Sequence, residues 1–129
     1  MKRNIAAAAF IVGALSLFGA GMSSATTEQQ KHVADALLHA QAAVDAGQKG
    51  TANAVGQHAY QALEHAKQAE HIKPDPHITE AETHLSQAVD QAAAEHADIA
   101  TKHVQEAIRH LQMAYQGTGG KSSEHRRLK

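Results

Sequence analysis

The chain of 129 residues matches itself at an offset of 45 residues, and this repeat limits the fold more than any other feature. The offset places His32 on His77, His39 on His84, His58 on His103 and His65 on His110. It also superposes Ala36 on Ala81, Ala43 on Ala88, Ala62 on Ala107 and Ala69 on Ala114. A chain that repeats one unit folds as two copies, each burying its apolar face against the other. Each copy holds two Ala-rich stretches poor in Gly and Pro, with few β-branched clusters, so the unit is a helical hairpin. Two hairpins predict an all-α, up-down antiparallel four-helix bundle over residues 26–116.

Turn chemistry divides this body. The first helix is expected from about Glu28 to Ala46, where Gly47-Gln48-Lys49-Gly50 supplies a left-handed C-terminal residue. The second runs from Thr51 or Asn53, either one a suitable N-cap, to Ile72. Lys73-Pro74-Asp75-Pro76 then separates the hairpins, about 28–72 and 77–116, because Pro lacks the amide donor and disfavours the α region before it. The third helix covers about His77 to Ala94. The fourth starts near Asp98, as N-cap, and ends before Gly117. Residues 117–129 are polar and basic and read as a disordered tail.

Ahead of the body, Lys2 and Arg3 precede an apolar run from Ile5 to Gly21 and the small residues Ser23-Ser24-Ala25. This is the pattern of a signal peptide over residues 1–25, cut after Ala25, and it predicts a periplasmic protein with no membrane attachment after cleavage. An uncleaved anchor would need all of this short run to span a bilayer. Absence of Cys excludes a disulfide scaffold, a thiolate metal site and a lipidated N-terminus. Losing Lys2 and Arg3 takes the formal net charge from -1 to -3, which argues against nucleic acid as a partner. The expected mature protein is a monomer.

Heptad registration assigns the faces. With Leu37, Val44, Leu63, Val89 and Ile108 at a, the d positions hold Val33, Ala40, Ala59, Ala66, Ile78, Leu85, Val104 and Leu111. The repeated Ala fall at g and all eight repeated His fall at c. A core of Ala, Val and a few Leu buries little area per residue, so marginal stability is expected without a ligand.

Two His seven residues apart on one helix stand about 10.5 Å apart, too far to share one ion at bond lengths of about 2 Å. The second ligand has to come from the neighbouring helix. In an antiparallel pair, residues at one level have a constant index sum. His32 with His65 and His39 with His58 satisfy this in the first hairpin, as do His77 with His110 and His84 with His103 in the second. Each hairpin therefore offers two His-His rungs, provided the turn is centred as assumed. These eight His are the candidate metal ligands, with His71 and His96 as secondary candidates. Asp35, Glu64 and Glu80 read as surface charges. Imidazole ligation suits Cu(II) above all, then Ni(II) or Zn(II).

The stretches from Ala100 to Leu111 and from His58 to Lys67 resemble the His-rich repeats of the small metal-binding protein family. The resemblance covers about Lys31 to Leu111. It implies an exported four-helix bundle that binds several divalent ions, notably copper, and is not an enzyme. Ala46, Thr51 and Gln91 stand where the family's repeats tend to carry further His, which implies fewer ions or weaker sites. The alternative reading is a structural or chaperone-like periplasmic bundle without a metal role. A haem-binding bundle with bis-His ligation is a second alternative. A di-iron carboxylate enzyme would need Glu-x-x-His pairs on facing helices, and these do not recur.

Overall fold

The computed structural model describes the backbone of residues 9–119 and the side chains of 25–117. Lys2, Arg3, His125 and the tail from residue 120 lie outside the described residues. Four helices follow one another: α1 Ala9–Gln48, α2 Ala52–Ile72, α3 Pro76–Ala93 and α4 Ala97–Gly119. Consecutive helices pack on one another, and α1 packs on α4 to close the square. The α1/α2 and α3/α4 seams therefore lie on opposite sides of an antiparallel four-helix bundle. Among the described residues no helix is long and apolar enough to cross a membrane.

Three boundaries differ from expectation. Helix α1 begins at Ala9, not near Glu28, and runs unbroken past Ala25. The Ala- and Leu-rich leader has strong helix propensity, and no Pro separates it from the body. At the other end α4 continues through Gly117 to Gly119, where a disordered tail was expected from residue 117. Gly117 is tolerated because its cost is one of propensity alone, and a Cβ there would meet nothing. Asp98 lies inside the first turn of α4 and is not its cap. There its carboxylate faces the positive helix end, which is favourable without a capping bond.

The ends of the hairpins follow one design. At the first turn Gly50 adopts φ 71°. The Thr51 N–H donates to the Ala46 carbonyl at 3.1 Å and the Gly50 N–H to the Gly47 carbonyl at 2.9 Å. This is a Schellman closure, which satisfies carbonyls that the helix end leaves free. The second turn repeats it: His96 N–H donates to Gln91 O at 2.9 Å and Glu95 N–H to Ala92 O at 3.0 Å. Here Glu95 holds the left-handed position, with φ 63°. Between hairpins Asp75 caps α3 by accepting the His77 N–H at 2.8 Å, with Pro76 at the first helical position. Glu70 braces the linker, accepting from Asp75 N–H at 2.9 Å and from the Thr79 hydroxyl at 3.0 Å.

The core is centred on g and d. All eight repeated Ala are buried, as are Val33, Ile78, Leu85, Val104 and Leu111. Of the a residues, Leu37, Val89 and Ile108 are only partly buried at its margin. The repeated g positions are thus all Ala, with Ile78, Leu85 and Leu111 buried beside them at d, and the small g column lets the helices of a hairpin pack closely. Gln29, in the g column of α1, is the sole fully buried polar residue among the described ones. Its Nε2 donates to the Lys73 carbonyl at 2.7 Å, tying α1 to the end of α2.

Candidate metal centre

Rotation of the apolar face toward g carries c inward, so each of the eight repeated His is half-buried, bordering the Ala seam of its hairpin. The rungs form. His32 and His65 approach with Nδ1···Nδ1 3.4 Å, and His77 and His110 do the same at 3.4 Å. One nitrogen of each pair has to be the acceptor, which fixes opposite tautomers across the rung in the absence of an ion. Two nitrogens bonded at about 2.05 Å to one tetrahedral ion stand about 3.3 Å apart, so both contacts already have the spacing of a chelate.

Of the inner rungs only that of the first hairpin is wider than the outer ones, whose ring centroids stand 5.7 Å apart. His39 and His58 have ring centroids 6.5 Å apart, and His84 and His103 5.8 Å. The diagonals are as close as the rungs: His39–His65 at 5.4 Å with planes 8° apart, and His84–His110 at 5.8 Å and 17°. Each hairpin therefore carries a zigzag, 32–65–39–58 and 77–110–84–103, in place of two separate rungs. The buried Nδ1 atoms of His58 and His84 have no hydrogen-bond partner. A buried imidazole nitrogen without a partner is costly, and a bound cation would satisfy it.

Two carboxylates read above as surface charges border the zigzags, Asp35 half-buried and Glu80 exposed. His32, Asp35 and His65 bring one ligand atom each within 4.8 Å of one another, and Glu80, His84 and His110 do likewise. Asp35 and Glu80 are equivalent under the 45-residue repeat, so the offset that revealed the His also pointed to them. Asp35 is paired with Lys31 at 3.0 Å. The hydrogen bond from Lys31 holds its carboxyl below the usual range, against the opposing effect of burial. Burial pushes the His65 imidazole below its ordinary value, and Asp35 offsets part of this. Neither secondary candidate is paired with an imidazole of a zigzag. His71 is exposed along a shallow groove that also reaches His32 and Glu64. His96 is exposed at the second turn, with Nδ1 3.1 Å from Gln91 Oε1.

These features define a class of protein: an antiparallel four-helix bundle with nitrogen ligands gathered along two opposite seams. The family described as small metal-binding protein matches residues 3–114, and the chain belongs to that family. No curated protein matches the sequence. Membership implies metal binding, and the donor set fits it, since half-buried imidazoles at chelating distance suit borderline divalent ions.

Proposed function

We propose that the protein binds, buffers or stores divalent transition metal ions in the periplasm, with Cu(II) as the principal ion and Ni(II) or Zn(II) as alternatives. The ligands are His32, His39, His58, His65, His77, His84, His103 and His110. One observation carries this reading: the 3.4 Å imidazole contact recurs at equivalent positions of both hairpins. The residues do the work of binding alone. Neutral imidazoles donate lone pairs, the Ala seam holds the two helices at chelating distance, and the cost of the half-buried nitrogens is relieved when an ion is bound.

Release follows from protonation. An imidazole that accepts a proton cannot ligate, so acidification below its ordinary pKa of about 6.5 frees the ion. Export rests on the leader, and cleavage after Ala25 would leave Thr26 as the first residue, three positions before Gln29. N-terminal sequencing of the exported protein reads Thr26 if this is correct, and Met1 if the leader is retained.

Calorimetric titration of the metal-free protein tests the ligand set. Cu(II) should bind most tightly, with Ni(II) and Zn(II) weaker, as nitrogen sites follow the Irving-Williams order. Cu(I) should bind poorly for want of thiolates. Displacement of Cu(II) by Zn(II), or preference for Cu(I), overturns the assignment.

A further inference from the structure

The two hairpins match in their His but not in what surrounds them. In the first, the carboxylate joins the outer rung, His32 with His65, and in the second it joins the diagonal, His84 with His110. Side-chain length explains the shift. Asp35 and Glu80 are equivalent positions, three residues after His32 and His77, and Glu80 is four before His84. The additional methylene of Glu80 lets its oxygens reach one level further along the seam.

Charge differs as well. Lys31, which holds Asp35 at 3.0 Å, is replaced in the second copy by Pro76. Among the described residues Glu80 has no ion-pair partner. The nearby pairs Lys67–Glu64, beside His65, and Arg109–Glu106, beside His110, are each internally neutral. An arriving cation therefore meets a compensated carboxylate in the first hairpin and an uncompensated one in the second.

From this we infer that the protein has two unequal primary sites, each of two His and one carboxylate, and that Glu80, His84 and His110 fill before His32, Asp35 and His65. The inference rests on the metal-binding reading above and adds to it the carboxylate ligands and an order of loading. Three protein ligands leave coordination positions open to water, so both sites exchange their ion more readily than a closed four-ligand site. The inner His39, His58 and His103 and the outer His77 are left for later ions.

The test is residue-specific NMR of the imidazoles of the purified protein with Cu(II) added below one equivalent, where paramagnetic broadening marks the ligands in use. His84 and His110 should broaden first, and His32 and His65 only as further Cu(II) is added. Glu80→Gln should weaken the first-bound ion at least about tenfold, since even outer-shell partners of a metal ligand are worth that much, and should transfer early broadening to His32 and His65. Lys31→Gln should tighten the first-hairpin site by about fivefold by removing a competing charge. Equal broadening in both hairpins, early broadening at His32 and His65 in the unaltered protein, or an order indifferent to Glu80→Gln overturns the inference while leaving His ligation intact. If Cu(II) broadens no imidazole at any ratio, the metal-binding reading itself falls.

Discussion

The first and second hairpins share their paired imidazoles and their Ala seams, yet differ at several of the positions that support them. Where α1 crosses α4, Gly47 lies against Thr101, and a Cβ on Gly47 would overlap the Thr101 side chain. Where α3 crosses α2, Ala92 lies against Gly56, whose added Cβ would come within 3.0 Å of the Ala92 methyl. These crossings are equivalent under the repeat, since 47 maps to 92 and 56 to 101. Each has one glycine, and both come from the first copy, Gly47 from its first helix and Gly56 from its second. Leu37 of the first copy is Glu82 in the second, and Gly50 is Glu95. The comparison teaches that the spacing of the imidazoles is common to both halves, while the carboxylates, crossings and turns around them are not.

The largest effect comes from metal. One ion held at a hundredfold excess over Kd raises unfolding free energy by about 2.7 kcal/mol. Converting the four His of one hairpin to Gln should therefore remove part of the Cu(II)-dependent rise in melting temperature at pH 7.5, and the larger part when the second hairpin is the one altered. At pH 5 the shift should vanish in all forms. The sign follows from His65: its folded pKa lies below the unfolded value of about 6.5, so the unfolded chain takes its proton first. Stability is thus fully present above that pH and lost as pH falls, even before metal is considered. Circular dichroism melts at both pH values check this, and coincident curves with and without metal at pH 7.5 would favour a purely structural bundle.

Next in size is the crossing. Gly47→Ala should cost about 2 kcal/mol, as overpacked close contacts do. Adding Thr101→Gly should restore most of it by moving the glycine to the other helix, the arrangement that Gly56 and Ala92 already give the α2/α3 crossing. Denaturant titration of the single and double variants measures the rescue, and simple additivity would show that the two residues are not partners.

Two smaller changes separate the copies further. Burial, and after it the nearby Glu70 charge, raise the pKa of Glu82, and its buried Oε1 has no hydrogen-bond partner. Its folded pKa is raised, so its ionisation weakens the fold as pH rises through that value. Glu82→Leu, which restores the residue of the first copy, should add about 1 kcal/mol at neutral pH. Glu95→Gly should add about 0.5–1 kcal/mol, because the left-handed position is costly for a residue with a Cβ. Urea unfolding of both variants at pH 7.5 reads these increments.

Much of this was legible before any coordinates. The 45-residue offset, the Pro-containing linker and the c-column His led to the bundle and to both outer rungs. The rotation of each helix about its axis was not legible. A 3.5-residue period marks a stripe of a, d and g positions but not its centre, and the structure puts Ala36 inside it and Leu37 at its margin. That rotation depends on how closely the partner helices approach, a property of both helices together. The zigzag was missed for a related reason. Index sums assign levels to backbones, whereas an imidazole reaches far enough to meet a neighbour half a level away, as His65 meets His39. Asp35 and Glu80 were readable from the repeat but had only charge to recommend them until their distance to the imidazoles was known.

The buried Ala column acts as a mechanical stop. A methyl is the smallest side chain that a chiral residue can present, so where these methyls meet, the two helices of a hairpin are already near their closest approach. An ion of a different radius held by the proposed imidazoles would have to be accommodated by rotation about their side-chain bonds, because drawing the backbones together is barred. The seam behaves as a fixed jaw with pivoting tips: the scaffold keeps one dimension while the donors adjust, and loading or unloading an ion need not disturb the opposite seam.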